Sequence, residues 1–415
     1  MSRLKFSVAL SPSAKTRRLK ADDPVSFIPM EAIKDGLGGI DSTRAEPLSV
    51  MTAGSYNYVA EGDVLLAKVT PCFENGKKGK AEGLVNGVGF ATSEVYVLRP
   101  DASRIDPDFL LYLMSSEDFR FQGIRSMTGA GGLKRVSAEA VRNYDVMISN
   151  PDEQSAIACF LDRETGLIDG LIKKKTRFIA LLKEKRAAVI THAVTKGIDP
   201  DAPMEDTDVD WLGRVPAHWE VLRIAALFRE VSRPADPALP VLSVSIHDGV
   251  TDGELADEDR DRKVALSEDR TKYQGVAPGD LVYNMMRAWQ GAFGAVTVKG
   301  LVSPAYVVAA PVTTFRTKFI EHLLHTKSAA EEIRRFSRGI ADFRMRLYWD
   351  HFRALKVCLP PLDEQDRILS EIDEETARID GLITLTERSI DLLREKRSAL
   401  ITAAVTGKID VRGAA

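Results

Sequence analysis

One stretch of this chain occurs twice, and that repetition narrows the architecture more than any other feature. Asp152–Asp199 reads DEQSAIACFLDRETGLIDGLIKKKTRFIALLKEKRAAVITHAVTKGID. Asp363–Asp410 reads DEQDRILSEIDEETARIDGLITLTERSIDLLREKRSALITAAVTGKID. The copies align without a gap at an offset of 211 residues, and about 27 of the 48 positions are identical. A unit of about 200 residues that repeats once is a duplicated half-molecule, because solenoid periods run only about 20–50 residues.

Periodicity inside the repeat predicts a long helix. Leu161, Ile168, Leu182 and Val189 fall in one seven-residue column, and Ala158, Thr165, Ile172, Ile179 and Ala193 fall in its companion. The second copy places Ile372, Ile379, Leu393 and Leu400 in the first column and Leu369, Thr376, Ile383, Ile390 and Ala404 in the second. Two apolar columns sustained over several heptads make the seam of a coiled coil. The seam is interrupted at matching places, by Lys175 and Thr386 in one column and by Arg186 and Arg397 in the other. Polar residues at seam positions cost stability and fix register. A helix of about 35 residues would run about 50 Å.

The segments before each helix share an order of signals but little sequence. In the first, strands are expected at Val25–Met30, Gly62–Val69 and Val95–Leu98, and a helix from Phe109 with Pro107 in its first turn. The glycine-punctuated stretch Glu74–Lys80 reads as a basic loop or hairpin turn, and Gly129–Gly132 precedes Lys134 and Arg135. In the second segment, Val241–Val244 matches the early strand and Tyr273–Val282 matches Tyr58–Leu65. Phe319–Leu324 matches the helix at Phe109, and Phe336–Arg346 matches Phe121–Arg135. Between the halves, Pro200–Val221 reads as an acidic linker docked through Trp211 and Trp219. The expected divisions are a globular domain at 1–151, a helix at 152–199, a linker at 200–222, a second domain at 223–361 and a second helix at 362–411. A scaffold is kept between the halves while the heads differ.

Composition excludes several classes. Among 415 residues, 44% are hydrophobic and 28% charged, which is ordinary globular material with room for two or three domains. No apolar run is long enough for a membrane helix, and the N-terminus has only a broken apolar core, so no secretory signal is expected. Three well-separated cysteines (Cys72, Cys159 and Cys358) suit a reducing cytoplasm. A formal charge of −3 describes the long-range field rather than local patches, so nucleic-acid binding would have to rest on local clusters. There is no GxxxxGK[ST] loop, no HExxH, no GxSxG elbow and no glycine-rich methyl-donor loop. The six histidines are scattered, and His192 in the first copy is Ala403 in the second. Glu184-Lys185-Arg186 and Glu395-Lys396-Arg397 have the spacing of solvated ion pairs, while their strict repetition also suits a shared partner surface.

Together these motifs resemble the specificity subunit of type I restriction-modification systems. The resemblance rests on Asp152-Glu153-Gln154 and Leu359–Gln365, the heptad helices, Glu184–Thr195 with Glu395–Thr406, and Trp211–Trp219 opening the second half. It spans essentially the whole chain. The first half departs from it, with Ile148–Pro151 in place of Leu-Pro-Pro-Leu and no N-terminal match to Trp211–Trp219. The resemblance implies an α+β protein with a pseudo-twofold internal repeat. Two α/β target-recognition domains would be separated by two long helices forming an antiparallel coiled coil. Each domain would read one half of a split, asymmetric site in double-stranded DNA, and the helices would set the spacing against a DNA turn of about 34–36 Å. The helices would also dock methyltransferase subunits, two per chain, and the assembly would recruit restriction subunits. The chain itself would be non-catalytic and cofactor-free, with the methyl donor, ATP and magnesium held by its partners.

On that reading, DNA contacts are expected from basic and amide side chains at corresponding loops. In the first domain these are Asn75, Lys77, Lys78, Lys80, Arg125, Lys134 and Arg135. In the second they are Arg287, Gln290, Arg334, Arg335, Arg338, Arg344 and Arg346, with Trp289 nearby and expected in the core. Glu184, Lys185, Arg186, Glu395, Lys396 and Arg397 are the candidates for partner docking and helix register. Two other classes compete. A single-chain methyltransferase or nuclease would modify or cut DNA without partners. A coiled-coil adaptor would leave DNA modification unchanged when either head is removed.

Overall fold

The structure is a computed structural model, and it describes residues 2–13, 19–130, 132–147, 150–246, 249–253, 269–339 and 345–411. Two compact units emerge, one from Met1–Arg177 with Thr386–Ala415 and the other from Phe178–Leu385. Each long helix contributes one part to each unit.

The long helices run Pro151–Lys196 and Leu362–Val405, 46 and 44 residues. They exceed the expected length because helix begins a full turn or more before the first seam residue. Pro151 suits the first helical position, where its missing N–H costs nothing. The Asn150 carboxamide oxygen accepts the Glu153 N–H at 2.9 Å, and acidic residues fill the first turn of both helices. Gly197 and Gly407 take the left-handed conformation (φ +77° and +70°) that ends each helix.

Every seam position is buried or half-buried. In the first unit, Ile157, Ala158 and Leu161 near the start of one helix join Ile401, Ala404 and Val405 near the end of the other in one core. In the second unit, Ala193 and Val194 join Ile368 and Ile372. The paired helix parts are therefore antiparallel within each unit. Burying a Leu or Ile side chain at this seam contributes about 1.5–3 kcal/mol.

The first unit has an antiparallel four-stranded sheet in the order Val8–Leu10, Val95–Pro100, Val64–Ala67, Lys78–Lys80. A second sheet runs Ala45–Pro47, Pro24–Ile28, Val88–Ala91, Asn57–Ala60, with one parallel pair between Pro24–Ile28 and Val88–Ala91. The second unit repeats the first arrangement as Phe228–Glu230, Tyr306–Pro311, Leu281–Asn284, Phe293–Ala295. Two helices then follow in each unit, Pro107–Leu113 and Glu117–Arg125 in one, Thr317–Leu324 and Lys327–Phe336 in the other. Ser116 and Thr326 cap the second helix of each pair through their hydroxyl oxygens.

Three local expectations differ from what is observed. Lys78 and Lys80 lie on a strand rather than in a loop, because Leu66 and Val64 supply their backbone partners. Val241–Val244 forms only isolated bridges, Val241 to Leu301 and Val244 to Val250. Pro200–Val221 is not a plain linker. It forms the hairpin Met204–Asp206 with Arg214–Pro216, while Trp211 and Trp219 pack on the second unit's core as expected.

Candidate nucleic-acid interface

In each unit the turn that enters the strand before the candidate loop is held by a repeated ion pair to a buried aspartate, which the sequence reading did not single out. Gly62 and Gly279 turn the chain with positive φ (+80° and +91°), and the following aspartates, Asp63 and Asp280, are 1% exposed. Asp63 accepts from Ala60 N–H and Asp280 from Ala277 N–H, both at 2.8 Å. Arg99 chelates Asp63, and Arg233 chelates Asp280. The signal was present as the matched Gly-Asp of the two segments. The arginines come from non-matching places and carried none.

The Asp-Glu-Gln motif has a similar explanation. Gln154 and Gln365 are buried. Gln154 accepts from Asp106 N–H at 2.9 Å and donates to the Arg104 carbonyl, while Gln365 accepts from Arg316 N–H at 2.7 Å and donates to the Pro360 carbonyl. Each glutamine thus ties the start of a long helix to the start of the first head helix in its unit. Buried Glu364 contacts His218 Nε2 at 2.6 Å and accepts from the Trp219 indole N–H at 3.1 Å, which explains the His-Trp ending of the Trp211–Trp219 stretch.

Three segments of the first unit meet around the candidate loop. Gly123 lets the Phe73 ring lie against the helix Glu117–Arg125, since a Cβ there would sit 2.3 Å from the ring. Thr70 donates to the Gly132 carbonyl at 2.8 Å and accepts from Lys134 N–H at 2.9 Å. Asn75, Arg125 and Lys134 are exposed here, with Arg125 over the Phe121 ring. The remaining candidates are engaged internally. Lys77 donates to the Ile33 carbonyl at 2.6 Å and pairs with Asp35. Lys80 pairs with Glu82 and Asp108; burial opposes its charge, but those two carboxylates outweigh it and raise its pKa. Arg135 chelates Glu94 at 2.8 and 2.9 Å, a contact that lowers the Glu94 pKa. Lys78 is buried, donates to the Gly76 carbonyl, and has its pKa pushed down to about 8 by that burial, with Arg397 and Arg120 adding to the effect.

The second unit assembles the corresponding region with different side chains. Trp289 is half-buried, not fully in the core, and the Arg334 guanidinium stacks 5.3 Å over its ring. Arg287 donates to the Gln290 carboxamide oxygen at 3.1 Å, and Arg335 pairs with Glu332. Arg338 and Arg346 face each other in a backbone bridge and are both exposed. Leu347 N–H reaches the Met285 carbonyl, as Val136 N–H reaches that of Lys68 in the first unit. Arg344 lies outside the described residues.

On the helices, Arg397 pairs with Asp169 at 2.9 Å in the first unit, and Arg186 pairs with Asp380 at 3.0 Å in the second. These are equivalent cross-helix contacts under the internal repeat. Glu184, Lys185, Glu395 and Lys396 are exposed and make no ion pair among the described residues. No group of three or more metal-ligating side chains occurs among the described residues. Nor is any helix there long and apolar enough to cross a membrane.

No protein-family model matches the chain. It is 33% identical over 150 residues to the type I restriction enzyme EcoEI specificity subunit of Escherichia coli. That match covers 36% of this chain and 25% of the relative, so the chain matches about a quarter of that relative's length. A Methanocaldococcus jannaschii protein assigned as the type I restriction enzyme MjaX specificity subunit is 22% identical over 431 residues, covering 96% of this chain and 90% of that one. The chain is similar to type I restriction enzyme specificity subunits. The likeness extends to the fold: the HsdS subunit from Thermoanaerobacter tengcongensis superposes with a TM-score of 0.59 at 15% identity, over 98% of this chain and 96% of that one. Mixed helix and sheet with two long helices is therefore an architecture that specificity subunits share with this chain.

Proposed function

We propose that this chain is the DNA sequence-specificity subunit of a type I restriction-modification complex. One observation carries the reading. The two units keep the same sheet order, the Arg-Asp pair with its buried aspartate and the glutamine tie, yet present different side chains at the corresponding loops. A scaffold with that property reads two different half-sites, and the likeness to specificity subunits supplies the class of target.

In this reading residues 1–151 and 223–361 are the recognition domains. The helices at 152–199 and 362–411 are the spacer, and 200–222 is the connecting hairpin. Exposed Asn75, Arg125 and Lys134 in one domain, and half-buried Arg287 with exposed Gln290, Arg334, Arg335, Arg338 and Arg346 in the other, face double-stranded DNA. Arginines and lysines on phosphate set position, whereas amide and guanidinium groups on base edges set sequence. The engaged residues Lys77, Lys78, Lys80 and Arg135 act by holding their loops in place. Glu184, Lys185, Glu395 and Lys396, beside exposed Leu181 and Leu392, offer equivalent docking faces for two methyltransferase subunits. The chain works in the cytoplasm and performs no chemistry. The methyl donor, ATP and magnesium act in the methyltransferase and restriction partners.

The test is long-read detection of methylated bases in host DNA with and without this gene. The expected result is loss of one bipartite, non-palindromic methylated motif. Retention of every motif would overturn the proposal.

A further inference from the structure

The loop Asn284–Ala292 of the second unit is held by its own hydrogen bonds. Asn284 accepts from Met286 N–H through its side chain and from Arg287 N–H through its carbonyl, both at 3.0 Å. Its N–H donates to the Ala292 carbonyl at 3.0 Å, and Gln290 N–H donates to the Arg287 carbonyl at 2.9 Å. Gly291 closes the turn at φ +96°, where a Cβ would press on the Ile246 carbonyl at 3.3 Å. Ala288 is fully buried, and Trp289 is braced by Arg334. Side chains leaving such a loop start from a fixed backbone, the condition for reading a base rather than merely meeting a phosphate.

Two of those side chains restrict each other. Arg287 Nε–H donates to the Gln290 carboxamide oxygen at 3.1 Å. This bond assigns the amide, because a guanidinium has only donors and must face the oxygen. What remains for a ligand is the Gln290 NH2 and the two terminal nitrogens of Arg287, none of which has another hydrogen bond among the described residues. The pair therefore offers mostly donors, with one lone pair of the Gln290 oxygen besides. In the major groove guanine shows two acceptors, N7 and O6, whereas adenine shows N7 beside an N6 amino donor. An unrestrained glutamine would suit adenine by turning its oxygen to that amino group. Here the Arg287 bond holds that oxygen toward the guanidinium with one lone pair spare, so free N–H groups outnumber acceptors at this pair. Asn75, in the matching loop of the first unit, carries no such restraint among the described residues.

We propose that Arg287 and Gln290 form a donor-rich reading pair that selects a guanine, through N7 and O6, in the half-site read by the second unit. This rests on the specificity-subunit reading above.

The experiment combines protein variants with altered bases. Methylated motifs are mapped by long-read sequencing in hosts carrying the unaltered gene, Arg287→Ala or Gln290→Ala. Both variants should relax one guanine position in one half-site and leave the other half-site as it was. In the complete complex with unaltered protein, 7-deazaguanine at that position should weaken DNA binding at least about fivefold. Inosine, which keeps N7 and O6, should change it less than about twofold. A motif unchanged in both variants would overturn the pair, as would uniform loss across all sequences or indifference to 7-deazaguanine. The base analogues act on the unaltered protein, so the test survives a variant that fails to fold. If the unaltered gene directs no motif at all, the specificity reading itself falls, and this inference with it.

Discussion

Lys78 and Phe293 occupy matching places on matching strands, opposite Leu66 and Tyr283, and only one of them carries a charge. Phe293 belongs in its core, whereas Lys78 is buried at a cost. The Lys78 pKa of about 8 lies below the ordinary 10.5, chiefly because burial disfavours the charged form. Below pH 8 folded and unfolded chains both hold the proton, and the folded chain bears the whole cost, about 3 kcal/mol. Between pH 8 and 10.5 the folded chain releases the proton first, so the cost fades as pH rises. Lys78→Met should therefore stabilise the chain by about 3 kcal/mol at pH 7 and by less than about 1 kcal/mol at pH 10. Urea denaturation of both proteins at the two pH values measures this, and a variant less stable at pH 7 would refute it. Sequence alone placed Lys78 with Lys77 and Lys80 in a basic loop or hairpin turn. The residue types were legible, but their burial was not, since it depends on a strand pairing with residues more than ten positions away.

At the scale of elements, the seam was legible almost residue by residue, because helical burial follows a local period. The interrupting arginines were legible as positions but not as contacts. Arg186 reaches Asp380 and Arg397 reaches Asp169, partners nearly two hundred residues or more away. These pairs are partly exposed, so each contributes about 0–1 kcal/mol. Their value is in register, which a slide of one helix turn would break at both places. Replacing both arginines with Leu should leave thermal stability unchanged or raise it, because apolar seam residues pack well. The same double variant should accept half-sites at altered separations. Methylation of a plasmid series with lengthened and shortened gaps reads this out, and unchanged gap tolerance would count against a register role. Gln154 and Gln365 act at the same scale. Their repetition was visible, whereas their function required knowing which backbone N–H groups lay opposite.

For the whole molecule, a net charge of −3 provides no broad electropositive field. Several candidate basic side chains are also neutralised by Asp or Glu neighbours within their own unit. Few phosphates can then be contacted by this chain alone, and phosphate contacts dominate affinity for DNA. The isolated chain should bind its site weakly, in the micromolar range, with a shallow salt dependence. Binding should become tight once methyltransferase subunits add their own surface. Fluorescence anisotropy across a salt series, with and without the partner, measures both. A nanomolar, sequence-specific complex of the isolated chain would contradict the expectation.

The duplication, the helical seam and the resemblance to specificity subunits all follow from the order of residues. They are local periodicities or long matched strings, and neither needs a third dimension. The buried Asp63 and Asp280, the engaged lysines and the single hydrogen bond that makes Arg287 and Gln290 a donor-rich pair were decided by tertiary structure. Each depends on which distant group a side chain meets, and a hydrogen bond or a desolvated charge is set by that neighbour rather than by the residue's own identity.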